Sequence, residues 1–162
     1  MPEFLPRSIV LRGHLTVAAP LGRAFELFSP QGERLWVPGW DPEIIFPPGA
    51  SWVEGLIFRT KEETGDALWV VSRLDPFFHR VIYHRVEPGR YVARIDVQCD
   101  PASPDTTDVS TSYTFTGLSA AGNDEIARMT QESYDAKMAR WSAWIGAVLG
   151  SGCFKHGETL PL

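Results

Sequence analysis

The sequence predicts an α+β fold in which one long C-terminal helix lies across a curved antiparallel sheet, with an apolar pocket between them. Three observations lead to this prediction: an alternating strand early in the chain, a series of strand-like runs joined by short turns, and a long proline-free helical stretch. A chain of 162 residues has the usual size of one domain. We therefore expect a single domain over residues 1–162, with a core of about residues 8–149 and a C-terminal tail at residues 151–162.

The first predicted strand covers residues 9–18, where apolar or small residues alternate with polar ones. This period of two is typical of a half-buried strand. The alternating set is Ile9, Leu11, Gly13, Leu15 and Val17. Two short helices are predicted next, over residues 21–28 and 32–37, with Pro30 ending the first and Pro38 following the second.

The middle of the chain contains strand-like runs separated by Gly, Pro, Asn or Asp. They cover residues 56–60, 67–75, 80–86, 91–99 and 106–118. Parallel strands need long crossover connections, and these gaps are short and hold no helical pattern. We therefore predict an antiparallel meander, and a sheet of six or seven strands in all.

One hairpin permits a prediction of register. If Glu87 faces Arg90 across the turn, then His84 faces Ala93 and points inward with the apolar set of its neighbour. The same register points Tyr83, Arg85, Arg94 and Asp96 outward, and we interpret Arg73, Arg85, Arg94 and Asp96 as a solvated charge ladder. The alternative is a one-residue bulge, which would reverse half of these assignments.

The last predicted element is one helix over residues 123–149, with Asn123 as its N-cap and Gly150 as its stop. Its buried stripe is mixed, because Thr130, Ser133 and Lys137 interrupt or border the apolar positions. Buried polar groups need partners or solvent. We interpret this polarity as evidence for a cavity beneath the helix.

Three segments carry a resemblance to a known family. They are Ala-Ala-Pro-Leu-Gly-Arg-Ala-Phe at 18–25, Gly-Glu-Arg-Leu-Trp-Val-Pro-Gly-Trp at 32–40 and Tyr-Thr-Phe-Thr-Gly-Leu at 113–118. With the order of elements, they resemble the helix-grip superfamily of START domains, Bet v 1-like proteins and bacterial polyketide cyclase/dehydrase-like proteins, over about residues 8–149. The resemblance implies a cavity that binds lipids, sterols, polyketides or hormones, and some members are cyclases. Fold alone does not fix the activity.

The candidate ligand-binding residues lie on the Trp-rich turn, the inner sheet face and the helix. They are Trp36, Trp40, Asp41, Phe58, His84, Tyr113, Phe115, Thr130, Ser133, Tyr134, Lys137 and Trp141. Each has a structural alternative: the two indoles of the turn can anchor the short helices, Asp41 suits a turn before Pro42, and Lys137 can extend to water. The structural alternative is the favoured interpretation for Trp36, Trp40, Asp41 and Lys137. It is also favoured for His84, as a hydrogen-bonded core histidine, and for Tyr113, whose hydroxyl usually finds a protein partner.

Composition excludes several classes of function. A net charge of −5 and a pI near 5.3 disfavour nucleic acid, which requires clustered Lys and Arg. We expect a cytoplasmic protein, since no secretory leader and no membrane-spanning apolar run is present. Cys99 and Cys153 lack the spacing of a metal or redox site, and a disulfide between them is the minor alternative. No nucleophile motif or phosphate loop is present, and we expect no metal and no cofactor.

The leading hypothesis is binding or carriage of a hydrophobic or amphipathic small molecule in the cavity. The alternative is a cyclase or dehydratase in which His84, Tyr113 or Asp41 polarises a carbonyl or moves a proton. A protein-interaction module that uses a sheet edge is a third hypothesis, and a homodimer is kept as an alternative assembly. Several converging polar side chains in the pocket favour the enzyme, whereas a filled core contradicts both small-molecule hypotheses.

Overall fold

The computed structural model describes residues 3–150, which form a seven-stranded antiparallel sheet and four helices. The strands are β1 (Ser8–Val17), β2 (Glu43–Phe46), β3 (Ile57–Glu62), β4 (Gly65–Asp75), β5 (Arg80–Glu87), β6 (Tyr91–Ser103) and β7 (Thr106–Gly117). Their order across the sheet is β1-β7-β6-β5-β4-β3-β2. The predicted meander and its antiparallel pairing are confirmed. Strand β2 was not among the predicted runs, because it has four residues and prolines follow and precede it.

The two short helices are α1 (Leu21–Glu26) and α2 (Pro30–Glu33). The second was predicted two residues later, and the prediction was wrong because Pro30 begins a helix here as well as following one. Proline suits a first helical position, where its missing N–H needs no partner. Ser29 caps α2, since its hydroxyl oxygen accepts a hydrogen bond from the Gly32 N–H at 2.9 Å.

The predicted single C-terminal helix is two helices, α3 (Ala120–Ala127) and α4 (Gln131–Gly150). Asn123 was predicted as an N-cap, and that was wrong: Ser119 caps α3, with its hydroxyl accepting from the Gly122 N–H. Asn123 lies inside α3, where its side chain accepts from the Arg7 N–H at 2.8 Å and donates to the Leu5 carbonyl at 2.9 Å. The side chain therefore ties the segment before β1 to α3.

Thr130 and Ser133 form the N-terminal cap of α4. The Thr130 hydroxyl accepts from the Ser133 N–H at 3.1 Å, and the Ser133 hydroxyl accepts from the Thr130 N–H at 3.2 Å. Both residues are exposed, so the prediction that they interrupt the buried stripe was wrong. The buried residues of α4 are Tyr134, Met138, Trp141 and Ile145.

Helix α4 packs closely on β1. Gly13 of β1 permits this, since a Cβ there would lie 2.9 Å from the Tyr134 ring and 2.9 Å from Met138 Cγ. The Tyr134 hydroxyl shares a hydrogen bond with the Thr111 hydroxyl of β7. With α4 against β1, side chains on the inner face of β3–β7 border an open space.

The β5–β6 register differs from the prediction by one residue. Glu87 pairs with Tyr91, so the turn holds three residues, and Gly89 has a φ of +76°, as three-residue hairpins require. His84 therefore faces Arg94 on the outer side of the sheet, and the prediction that it points inward was wrong.

The shifted register moves Tyr83 and Arg85 to the inner face, where both border the open space. Arg94 and Asp96 point outward as predicted, and Asp96 pairs there with Arg80 at 2.6 Å. Arg85 therefore does not belong to the outer charge ladder. Within residues 3–150, no helix is long and apolar enough to cross a membrane.

Candidate functional site

A cavity of about 730 Å³ lies between α4, the segment at residues 37–42 and the inner face of the sheet. Four indole rings form much of its wall: Trp40 from the segment, Trp69 from β4, and Trp141 and Trp144 from α4. The Trp40 and Trp69 rings meet edge to face, with centroids 5.3 Å apart. Aromatic rings in this arrangement offer a large apolar surface with a defined shape.

Hydrogen bonds fix the orientation of the Trp40 and Trp69 indoles. The Trp40 N–H donates to the Pro30 carbonyl at 2.8 Å, and the Trp69 N–H donates to the Thr60 hydroxyl at 2.9 Å. Trp36 lies behind this wall, where its N–H donates to the Leu27 carbonyl at 2.7 Å. With their donors satisfied by protein, Trp40 and Trp69 present carbon surface to the cavity.

Glu33 is the last residue of α2, and its side chain lines the cavity. Burial raises the pKa of Glu33 to about 8, against the opposing effect of the Lys137 cation. Desolvation disfavours the carboxylate, so the carboxyl group holds its proton through neutral pH. Glu33 is therefore a proton donor inside the cavity.

Lys137 enters the same cavity from α4. Its Nζ lies 4.1 Å from the centroid of the Tyr113 ring and 5.3 Å from that of Trp141. Burial, with smaller effects of the Arg85 and Arg140 cations, lowers the pKa of Lys137 to about 7, and Glu33 opposes the shift. A substantial fraction of the amine is neutral near pH 7, so Lys137 can accept a proton there.

Arg85 and two tyrosines complete the polar part of the wall. The Arg85 guanidinium lies 5.4 Å from the Trp69 ring, and its Nε is 3.6 Å from the buried Glu87 carboxylate. The Tyr83 hydroxyl donates to the Phe28 carbonyl at 2.7 Å. Burial raises the pKa values of Tyr83 and Tyr113 above the ordinary value, which keeps both phenols protonated.

This arrangement brings a proton donor, a proton acceptor and a fixed cation into one cavity whose wall combines indole rings with charged side chains. Titratable groups with shifted pKa values in a cleft are characteristic of functional sites. Chemically, the set can orient a polar ligand group by hydrogen bonds, neutralise a negative charge, or exchange protons near pH 7.

The structure divides the predicted ligand-binding residues into three groups. Five line the cavity: Trp40, Asp41, Tyr113, Lys137 and Trp141. Four are buried in the core beside it: Trp36, Phe58, Phe115 and Tyr134. Three lie elsewhere: His84, Thr130 and Ser133.

His84 and Asp41 have local partners. His84 hydrogen-bonds through Nδ1 to the Ser72 hydroxyl, and burial together with the Arg94 cation lowers the pKa of His84. Asp41 lies at the mouth, where its 85% exposed side chain pairs with Arg34 at 2.8 Å. Neither has the inward position that the acid–base hypothesis gave it.

Sequence reasoning missed several residues of the wall, above all Glu33, Trp69, Tyr83, Arg85 and Trp144. A three-residue turn in place of the assumed two-residue turn would have placed Tyr83 and Arg85 on the inner face. Trp69 had a signal in its parity with the apolar positions of its strand. Glu33 had none, because a four-residue helix gives no periodic pattern.

No group of three or more His, Cys, Asp or Glu side chains that could hold a metal occurs between residues 3 and 150. Cys99 is buried in β6, and burial raises the pKa of its thiol to about 12. Cys153, and with it the disulfide alternative, lies outside the described residues, as does the predicted tail at 151–162.

Comparison with solved structures identifies the fold. Norcoclaurine synthase from Thalictrum flavum matches with a TM-score of 0.66 and 16% identity, over 92% of this chain and 99% of that one. The Zhui aromatase/cyclase from Streptomyces sp. R1128 matches with a TM-score of 0.58 and 19% identity, over 94% and 100%. The di-domain ARO/CYC BexL of the BE-7585A pathway gives a TM-score of 0.67 and 14% identity, over 87% of this chain and 47% of that one.

The chain therefore has the helix-grip fold that Bet v 1-like proteins and polyketide aromatase/cyclases share, as its sequence predicts. Identities below 20% show the fold and carry no activity with them. No family model and no curated protein matches the sequence.

Proposed function

We propose that the cavity binds an amphipathic small molecule with a flat apolar body, lipid-like or polyketide-like, and a polar end. One observation carries the proposal: four indoles surround a space of about 730 Å³ that also holds Glu33 and Lys137. Small-molecule sites commonly measure about 300–1,000 Å³ and combine apolar walls with a few polar groups. A packed core has no such volume.

The wall suggests how the ligand lies. Its apolar body packs on Trp40, Trp69, Trp141 and Trp144, and its polar end reaches the ionisable side chains. Aromatic ligands suit such a wall because offset and edge-to-face contacts add to simple burial. In support, one structure of the fold neighbour norcoclaurine synthase is a complex with dopamine and hydroxybenzaldehyde, both aromatic.

Native mass spectrometry of the purified protein tests the proposal first, by detecting a co-purifying ligand. Titration with lipids and aromatic polyketides, read by tryptophan fluorescence, then gives affinities. We expect Trp144→Leu to weaken binding about fivefold to tenfold, since an aromatic contact contributes about 0.5–1.5 kcal/mol beyond burial. The control variant Phe77→Leu leaves affinity unchanged, because Phe77 is 82% exposed and does not line the cavity.

Two results contradict the proposal. One is the failure of every apolar or aromatic ligand to bind. The other is an equal loss of affinity in Trp144→Leu and Phe77→Leu, which would assign the change to an effect outside the cavity.

A second function, a cyclase or dehydratase, is favoured because several polar side chains converge on the cavity, which is the feature that the sequence-based hypothesis associates with an enzyme. They are Glu33, Tyr83, Arg85, Tyr113 and Lys137, and ligand binding is the step that both functions share. Glu33 with a pKa of about 8 and Lys137 with a pKa of about 7 can donate and accept protons at neutral pH. In this hypothesis Glu33 and Lys137 take the roles that the sequence suggested for His84 and Asp41.

Water loss or ring closure in a β-hydroxy ketone or a poly-β-ketone analogue, followed by mass spectrometry, tests this function. Glu33→Gln is expected to slow turnover by about 10²-fold or more. Glu132→Gln, exposed on α4 and outside the cavity lining, is the matched control that keeps activity. A Glu33→Gln variant that retains full turnover overturns the enzyme hypothesis and leaves the binding proposal standing.

The proposed setting is the cytoplasm, and the proposed partner is a small molecule in place of nucleic acid, in keeping with the net charge of −5. A homodimer is a further proposal about assembly.

A further inference from the structure

The Nζ of Lys137 lies against two aromatic rings, and no ion pair among residues 3–150 neutralises its charge. Its Nζ lies over the Tyr113 ring at 4.1 Å and near the Trp141 ring at 5.3 Å. Among the ion pairs within residues 3–150, none includes Lys137. A lysine at such a position usually extends to water or pairs with a carboxylate. Among the described residues Lys137 pairs with no carboxylate, it is only partly exposed, and it borders an open volume.

The charges around Lys137 favour a neutral amine. The groups that face it are Glu33 from α2, Tyr83 and Arg85 from β5, Tyr113 from β7, and Arg140 from α4. Two of these are fixed cations, and the single carboxyl group, Glu33, is itself mostly protonated at neutral pH. Desolvation beside another cation is the usual way in which proteins make a lysine nucleophilic. Consistent with this, the pKa of Lys137 is about 7.

Glu33 supplies the acid that carbonyl addition by an amine needs. Both side chains line the same cavity, and the carboxyl group carries a proton below about pH 8. The space of about 730 Å³ is large enough for a small ligand. Acid–base help at the dehydration step is what makes imine formation fast near neutral pH.

We infer that Lys137 is a nucleophilic amine that forms a reversible imine with aldehydes or ketones whose apolar body packs on the cavity indoles. The inference rests on the proposed function, and it names the ligand class as carbonyl compounds.

The chemistry balances without an oxidant or a reductant. The amine attacks the carbonyl carbon, a C–N bond forms, and the carbonyl oxygen takes the proton that the nitrogen loses. The Glu33 carboxyl then protonates the resulting hydroxyl group, which leaves as water. A proton from nitrogen returns to the Glu33 carboxylate as the C=N bond forms, so the sum is one imine and one water.

Reductive trapping tests the inference. The full chain is mixed with 2-naphthaldehyde near neutral pH and treated with borohydride, and the modified lysine is located by peptide mass spectrometry. The sequence has three lysines, and Lys61, exposed at the mouth of the same cavity, is the internal control. We expect Lys137 to be modified at least about tenfold more than Lys61, because an ordinary lysine is almost fully protonated there. Equal modification of the two, or preference for Lys61, overturns the inference.

Matched variants separate reactivity from binding. Lys137→Arg keeps the positive charge and the long stem but forms no imine, so trapping in the cavity is lost. Glu132→Gln, exposed on α4 and outside the cavity lining, leaves trapping at Lys137 unchanged. The carbonyl-free alcohol 2-naphthalenemethanol is titrated in parallel, and its binding to Lys137→Arg verifies that the variant is folded.

The alcohol also distinguishes the two possible failures. If the alcohol binds and Lys137 is not trapped by the aldehyde, the imine inference is wrong and the proposed function stands. If neither compound binds and no apolar or aromatic ligand of the wider panel does, both are wrong.

Discussion

Glu33 and Lys137 face the same cavity, and burial shifts their pKa values in opposite directions. The carboxyl group of Glu33 has a pKa of about 8 in the native state and about 4.5 when exposed. The native state therefore binds more protons than the unfolded state between these values, and stability falls as the pH rises through this range. Lys137, with a native pKa of about 7 against 10.5, binds fewer protons in the native state, so its contribution to stability rises from about pH 7 to 10.5.

Neutral variants at the two positions should separate these effects. We expect Glu33→Gln to become more stable than the wild type as the pH rises from about 5 to 8. The gain in the free energy of unfolding should be on the order of 1–3 kcal/mol. It is smaller than the free energy equivalent to the whole pKa shift, because the side chain is partly exposed to the cavity. Lys137→Met should show its largest gain below about pH 7, and the gain should disappear towards pH 10.5. Urea denaturation at a series of pH values measures both. Parallel pH profiles for the two variants would contradict the assigned pKa shifts.

The sequence could place Lys137 and could not place Glu33. Lys137 lies in a long helix, where spacing relates each residue to the buried stripe. Glu33 ends a four-residue helix, and its entry into the cavity depends on how α2 packs. Tyr83 and Arg85 were assigned to the wrong face because one additional turn residue inverts a strand.

At the scale of elements, the join between the β5–β6 turn and α3 is the tightest feature of the fold. A Cβ on Gly122 would lie 1.7 Å from the Arg90 carbonyl oxygen, so only glycine fits there. The Arg90 side chain reaches over α3 as well, where its Nε donates to the Glu125 carboxylate at 2.8 Å. The turn that sets the inner face of β5 is thus fixed by the helix packed on it.

Replacing Gly122 with alanine should therefore cost about 3 kcal/mol or more of the free energy of unfolding, because backbone must move to admit the methyl group. The matched change is Gly146→Ala in α4, where a Cβ meets nothing within 4 Å. That variant should gain about 0.5–1 kcal/mol from helix propensity. Urea denaturation of both variants measures the difference. Similar stabilities for the two would show that α3 does not press on the turn.

The type of each element was predictable where the residue pattern is local, whereas the break between α3 and α4 was not. Period-two patterning and turn residues identified every strand except the four-residue β2. Nothing in residues 123–149 forbids one continuous helix, yet the chain breaks at residues 128–130. Thr130 and Ser133 match a helix start, and that start was hidden because both residues also fit a helix interior.

At the scale of the whole molecule, the cavity was predictable and its polar contents were only partly so. The mixed stripe of the C-terminal helix predicted a cavity, but two of its three polar residues, Thr130 and Ser133, are cap residues and only Lys137 enters the space. The other ionisable groups come from α2 and β5. A site assembled from such distant segments depends on the tertiary arrangement, which a single sequence does not encode in any local pattern.

A ligand that enters this cavity must stabilise the whole fold, because it binds the native state alone. At a free ligand concentration of about 100 times the Kd, binding adds about 2.7 kcal/mol to the free energy of unfolding. This raises Tm by roughly 5–10 °C in a chain of this size. Val97 of β6 is buried and lines the cavity, so Val97→Phe fills part of the space with its ring. We expect this variant to keep or raise its own Tm and to lose most of the ligand-induced shift.

The control is Val10→Phe on the outer face of β1, where the side chain is 44% exposed and the same substitution leaves the cavity untouched. Its ligand-induced shift should equal that of the wild type. Differential scanning calorimetry with a ligand from the fluorescence titrations measures all three proteins. A full shift in Val97→Phe would place the ligand outside the cavity, because a filled site cannot stabilise the fold by binding.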